Sequence, residues 1–295
     1  MKRQILKLAR PVLSPANHMV ISRYYKADRP LNDVTEQRVL LFAPHVDDET
    51  IGAGGTLMKH AASGAETHVA FLTDGSGSQS TGAADEIVAA RKKEAQKVKE
   101  LLNLTSIDFF DEKDGQLTSD KRTRAWIKGK IETVQPEVIY APVFVDCHAD
   151  HIATAQLVRD TLEEMGREDI TIRLYEINTL LPKEEVNCIV DISPYVSRKK
   201  EAIDVFQSQA IDFDGFQRLE KLKRHLVAGS VEASVEAVET FLELTPAELR
   251  SRFDRVQGKY TYSEHFKQVN KEVTLLYAMY KNLTFKRQVY AESRK

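Results

Sequence analysis

A chain of 295 residues that is 42% apolar and 29% charged has the material for a large core under a soluble surface. Its net charge of −2 excludes the basic excess of a general nucleic-acid binder. The two cysteines, Cys147 and Cys188, exclude a disulfide framework and suit a reducing cytoplasm. No apolar run approaches the ~20 residues that would insert stably into a membrane.

The first stretch, MKRQILKLARPVLS, is basic and partly apolar. Lys7, Arg10 and Pro11 interrupt the continuous apolar segment an export signal needs, so residues 1–36 are read as an extension carrying a short amphipathic helix. Weak attachment to an anionic membrane surface is the other reading of this segment. From residue 37 strand-like runs alternate with helical patterns: strands at 38–44, 67–73, 106–110, 137–143, 171–177 and 187–192, helices near 54–64, 84–102, 118–134 and 152–166. Gly52, Gly54 and Gly55 are expected to open the first of these helices, and Thr118 or Ser119 to cap the third. The strands are runs of Val, Leu, Ile and Phe, as in a parallel sheet covered on both faces. The fold class is therefore α/β, a Rossmann-like three-layer sheet over 37–210. Pro194 begins a helix to about Gln209, and most of 213–281 reads as helical. The charge run Lys221-Leu222-Lys223-Arg224 reads as a solvated helix face, and residues 211–295 as a helical extension packed on the α/β body.

Two clusters interrupt this pattern. His45-Val46-Asp47-Asp48-Glu49 follows the apolar run 39–44, and His148-Ala149-Asp150-His151 follows 138–143. Acids and imidazoles beside a core are costly unless paired or bound to metal. Ligands of an open parallel sheet bind beyond the carboxyl ends of its strands, where the strand order reverses. In the common winding order the first and fourth strands flank that reversal, which brings the two clusters together. Two imidazoles and a carboxylate make a three-ligand Zn²⁺ site with an open position, and also suit Fe²⁺. His45, Asp47, Asp48, His148, Asp150 and His151 suffice for the ligands, a base and an oxyanion donor. Read singly, an Asp pair after a strand is only a helix cap and a lone histidine only a packed ring; the constellation carries the argument. Cys147 is read as a small buried residue and Cys188 as core. The glycines at 52–55 and the loop Thr73-Asp74-Gly75-Ser76-Gly77-Ser78 fit neither a dinucleotide fingerprint nor a Walker loop, which disfavours nucleotide-dependent transfer.

Pro44 to Glu49 resembles the Pro-His-Pro-Asp-Asp-Glu motif of the PIG-L/LmbE-like deacetylases, and His148 to His151 resembles their His-X-Asp-His. The likeness extends to Arg91-Lys92-Lys93-Glu94, to Phe206-Gln207-Ser208-Gln209 and to Tyr262-Ser263-Glu264-His265-Phe266. Val46 and Ala149 stand where relatives commonly have proline. The resemblance implies a zinc-dependent enzyme removing an acetyl group from an N-acetylglucosamine-type sugar or glycoconjugate, and a homo-oligomer. It implies that His45, Asp48 and His151 hold the metal, that Asp47 is the general base, that His148 stabilises the oxyanion with Asp150 orienting it, and that Arg91 holds the sugar. Whether Asp47 or His148 protonates the leaving amine stays open. The alternatives are an amide hydrolase for an N-acetylglucosamine-containing thiol or antibiotic precursor, and a non-catalytic carbohydrate-binding protein on the same fold.

Overall fold

Residues 39–43 (Val-Leu-Leu-Phe-Ala) are buried throughout, and they belong to an inner strand of the sheet. The computed structural model describes residues 2–77, 83–209, 211–227, 229, 235–262 and 265–295. Chain order within them is α1 (Lys2–Tyr25), β1 (Arg38–Ala43), α2 (Asp48–Ala62), β2 (Glu66–Thr73), α3 (Ala84–Leu102), β3 (Ser106–Glu112), α4 (Lys121–Val134), β4 (Val138–Pro142), α5 (Ala149–Met165), β5 (Thr171–Tyr175), β6 (Cys188–Asp191), α6 (Val196–Ile203), α7 (Asp214–Lys223), β7 (Val238–Leu244), α8 (Pro246–Val256) and α9 (Leu275–Ser293). Among the described residues the sheet has seven strands in the order β3-β2-β1-β4-β5-β7-β6. β1 runs parallel to β2 on one side and to β4 on the other, with Val39 opposite both Thr67 and Val138. The reversal of strand order thus falls between β1 and β4, as strand counting requires.

The sheet is mostly parallel, but β7 is antiparallel to both β5 and β6. This corrects the helical reading of 213–281. Glu239 and Glu243, four apart, mimic the charged face of a helix. In the structure both are consumed by cations on neighbouring elements: Glu239 accepts from Lys199 Nζ at 2.6 Å and Glu243 from Arg173 Nε at 2.7 Å. The segment after 211 therefore supplies a strand to the sheet as well as helices. Lys223 is likewise not solvated. It is 4% exposed and bonds Glu176 at 2.5 Å and Thr240 at 2.7 Å.

Smaller differences have local causes. α1 is long, not short, and continues through Pro11 and Pro15 to Tyr25, with Ile21 and Tyr25 buried and Asn17 Nδ2 bonded to the Glu272 carbonyl at 2.6 Å. α4 is capped by Asp120, not Thr118 or Ser119, in a reciprocal pair with Thr123. The helix expected from Pro194 to Gln209 ends at Ile203 and gives way to turns. α8 starts at Pro246, with Thr245 and Glu248 forming a capping box.

α2 begins at Asp48, so Gly52, Gly54 and Gly55 lie within it and do not open it. At Gly52 and Gly55 the need is close approach. A Cβ at Gly52 would meet the Tyr175 ring at 2.3 Å, and that ring is held by its hydroxyl bond to the Phe42 carbonyl at 2.8 Å. A Cβ at Gly55 would meet Ile192 at 2.6 Å. Gly52→Ala is expected to destabilise the fold by about 1–3 kcal/mol through overpacking, read as a lower urea midpoint at unchanged slope. An unchanged midpoint would show that α2 has room to retreat. Among the described residues no helix is long and apolar enough to cross a membrane.

Candidate active site

At the carboxyl end of β1, Pro44 and His45 turn the chain into α2. Asp47 occupies the cap position with φ +138° and ψ −28°, a region non-glycine residues seldom enter. The turn is held by Thr50 and Ile51 N–H groups donating to the Asp47 carbonyl, at 3.1 and 2.9 Å. The Asp47 N–H itself donates to Glu49 Oε2 at 3.0 Å. The Asp47 side chain caps nothing and lines a cleft of about 430 Å³. Strain held by surrounding bonds while a side chain stays free is a mark of a functional turn.

The second cluster opens α5. His148 is its cap residue, and Nδ1 accepts the Asp150 N–H at 3.3 Å. The sheet order brings the two clusters into contact. Ring centroids of His45 lie 4.6 Å from His148 and 5.5 Å from His151, and those of His148 and His151 are 5.3 Å apart. Asp48 Oδ2 stands 3.1 Å from His45 Nδ1 and 3.4 Å from His151 Nε2. Donors about 2.0–2.1 Å from a tetrahedral Zn²⁺ would stand about 3.3 Å apart, so each of these two pairs has the spacing of neighbouring ligands. His45, His148 and His151 also bring ligand atoms within 4.8 Å of one another, as do His45, Asp114, His148 and Asp150. The cluster could hold a metal ion.

The electrostatics agree with that chemistry. Burial alone would lower the His45 pKa, but Asp114, Asp150 and Asp48 together hold it well above the ordinary value. Burial would raise the Asp48 carboxyl, and His151 and His45 instead hold it far below the usual range. Both shifts say that the centre favours positive charge. Asp47 goes the other way: burial and then the neighbouring Asp48 charge push it well above the usual value, against Arg91 and His45. Burial, with His45 and His151 next, lowers His148. Its ring is therefore neutral, and with Nδ1 accepting from Asp150 the proton sits on Nε2.

Asp150 does not reach His148 through its carboxylate. Its Oδ2 accepts from Gly115 N–H at 2.8 Å and lies 3.3 Å from His45 Nε2, while its Oδ1 accepts from Leu117 N–H at 3.3 Å. Its link to His148 is the backbone N–H. Two acids absent from the sequence reading stand beside it. Asp114 Oδ1, on the loop after β3, is 3.4 Å from His45 Nε2. Asp146, fully buried, accepts from His148 N–H at 2.9 Å and Asn178 at 3.1 Å and lies 3.6 Å from His151 Nδ1. Position at the carboxyl end of β3, and two residues before His148, were the signals available for them.

Arg91 and Glu94 are both buried and tie α3 to the turn after α6. Arg91 donates to Gln209 Oε1 at 2.6 Å, and Gln209 Nε2 donates to the Val46 carbonyl at 2.8 Å. Glu94 accepts from Ser208 N–H and hydroxyl at 2.8 and 2.6 Å. Arg91 packs on Gly75, where a Cβ would meet its guanidinium at 1.8 Å and φ is +66°. Burial pushes the Cys147 thiol far up and Cys188 to about 12, so neither is a nucleophile. Ser78, Ser263 and Glu264, which the sequence reading touched, lie outside the described residues.

A family model described as "PIG-L: GlcNAc-PI de-N-acetylase" matches residues 40–162, which hold both clusters. The match to that family covers these residues. A diacetylchitobiose deacetylase of Thermococcus kodakarensis is 29% identical over 199 residues, 63% of this chain and 74% of that protein. The structure of an N,N'-diacetylchitobiose deacetylase from Pyrococcus horikoshii superposes with a TM-score of 0.62 at 24% identity, covering 84% of this chain and 94% of the other. A 4-carboxy-2-hydroxymuconate hydratase from Pseudomonas putida superposes with a TM-score of 0.61 at 19% identity, covering 70% and 96%. A deacetylase and a hydratase thus share this fold, and the choice between the two reactions rests on the site.

Proposed function

We propose that the protein is a metal-dependent deacetylase for an N-acetylglucosamine-type sugar or glycoconjugate. The observation that carries the reading is Asp48 Oδ2 set between His45 Nδ1 and His151 Nε2, beside a buried Asp47 in the same cleft whose carboxylate makes no hydrogen bond among the described residues. The donor set fits a divalent cation: nitrogen and oxygen donors, with Asp48 at ligand spacing from each histidine, in a centre whose field favours positive charge. Held by His45, Asp48 and His151, Zn²⁺ or Fe²⁺ would supply a Lewis acid for the acetamide carbonyl and for water.

The chain's own groups do the rest. Asp47, with its pKa raised and no hydrogen bond on its carboxylate among the described residues, takes the proton of the attacking water. His148 presents its Nε2 proton to the oxygen that gains charge at the acetyl carbon. Asp150 holds His148 through its backbone N–H. Asp114 and Asp150 oppose His45 Nε2 and keep the imidazole oriented, as partners behind metal-binding histidines do. Arg91, braced by Gln209, lines the cleft as the group that holds the sugar. Collapse needs a proton on nitrogen, from Asp47 or His148. Both cysteines are free, which suits a cytoplasmic enzyme.

Metal-loaded protein is expected to release acetate from at least one member of a panel of N-acetylglucosamine, its β-1,4 dimer and its inositol glycoside. No acetate from any member at full metal occupancy would leave a sugar-binding protein on this fold as the better reading.

A further inference from the structure

The cleft has a wall that the PIG-L match does not reach. Residues 266–272 cross the carboxyl end of the sheet as a strap pinned at both ends and in the middle. Val269 N–H donates to the Asn178 carbonyl at 3.0 Å, and Gly215 N–H to the Asn270 carbonyl at 3.0 Å. Glu272 N–H donates to Asp214 Oδ1 at 3.2 Å. Lys267 is clamped by the fully buried Asn282, its N–H donating at 2.8 Å and its carbonyl accepting at 2.9 Å. The strap touches α7 so closely that a Cβ at Gly215 would sit 2.0 Å from the Val269 carbonyl oxygen. Such a strap holds a side chain as firmly as a strand does.

What it holds in the cleft is Gln268. Among the described residues the Gln268 amide makes no hydrogen bond. Beside it in the lining lie Ile177 and Asn178 after β5, and Phe216 of α7. Asn178 Nδ2 is spent on Asp146, which leaves its Oδ1 for another donor. This wall carries amides and apolar faces and no charge. Elsewhere the lining has Asp47, Asp48 and Asp114 against Arg91, the one fixed cation among the described lining residues. Amides that bind hydroxyls, set beside an apolar floor, recognise a neutral hydroxylated ring. They bring no positive charge to a phosphate, which they could meet only with neutral N–H donors.

We infer that the strap and α7 form a second sugar subsite, in which Gln268 and Asn178 bind hydroxyls of a neutral unit joined to the N-acetylated sugar. The inference rests on the deacetylase reading for what occupies the neighbouring part of the cleft. It names Gln268 as a specificity residue, and Gly215 as the residue whose lack of a side chain lets the strap seat.

Acetate release is measured for metal-loaded wild type, Gln268→Ala and Gly215→Ala on N-acetylglucosamine, its β-1,4 dimer and a phosphodiester-linked N-acetylglucosamine conjugate. Wild type is expected to favour the dimer over both others. Loss of one hydrogen bond to a hydroxyl, about 1.4 kcal/mol, raises KM for the dimer about tenfold in Gln268→Ala, with kcat and the single-sugar KM unchanged. Gly215→Ala is expected to do the same with metal content retained. A dimer-to-monomer ratio in Gln268→Ala equal to wild type, or a phosphodiester conjugate used as well as the dimer, overturns the subsite. Calorimetric binding of the dimer to Asp47→Asn, with and without Gln268→Ala, separates the two ideas. If wild type releases no acetate but the dimer binds about tenfold more weakly once Gln268 is removed, the subsite stands and the deacetylase reading falls. Equal binding in the two proteins overturns the subsite.

Discussion

Asp47→Asn is expected to lower kcat for acetate release by about 10²–10⁴-fold while one metal ion per chain is retained. Asn is the substitution that isolates the charge. Like Asp it is among the residues that tolerate positive φ, so the turn at φ +138° survives, and its side chain has nearly the same volume. What disappears is the carboxylate that burial and Asp48 hold well above the usual value. That direction has a sign. A raised pKa means the base form is lost as pH falls, earlier than for an ordinary Asp. The acid limb of kcat/KM in the wild type should therefore vanish in whatever activity Asp47→Asn retains. Near-normal turnover in the variant would remove Asp47 as the base, and the neighbouring Glu49, pushed up to about 7, would be the next carboxylate to test.

His151→Ala is expected to abolish stable metal binding and turnover together. The ring is 2% exposed and stands between Asp48 Oδ2 at 3.4 Å and Asp146 Oδ1 at 3.6 Å. Losing a carboxylate behind a metal-binding histidine costs about 10–100-fold in affinity, and losing the imidazole itself should cost more. Native mass spectrometry should find one equivalent in the wild type and none in the variant after buffer exchange. Asp48 and Asp146 would then face each other across a vacated ring, so the fold of the variant is checked by its circular dichroism. A folded His151→Ala chain that keeps its metal would move the centre to the second group, His45, Asp114, His148 and Asp150.

Both tests concern residues that could be read before any coordinates. His45, Asp47, Asp48, His148 and His151 stood out because acids and imidazoles directly follow apolar runs, a placement that cores do not tolerate without a partner. Strand counting then placed the clusters on neighbouring strands, and β1 does pair with β4. Asp114 and Asp146 escaped because single acids near strand ends are common, and only the geometry shows that they face His45 and His151. Asp150 was legible as a member of the site, but the target of its carboxylate was not. β7 was misread because its two glutamates are paired with Lys199 and Arg173, partners 40 and 70 residues away in the chain.

The amino-acid order alone therefore determined the α/β alternation, the two clusters and their meeting point. These depend on period, on strand order and on residue chemistry, all of which are local or topological. Tertiary structure alone decided the antiparallel β7, the acids behind the histidines and the strap that carries Gln268. Each of these depends on which distant side chain neutralises a buried charge or leaves room for a backbone, and no window of sequence contains both partners.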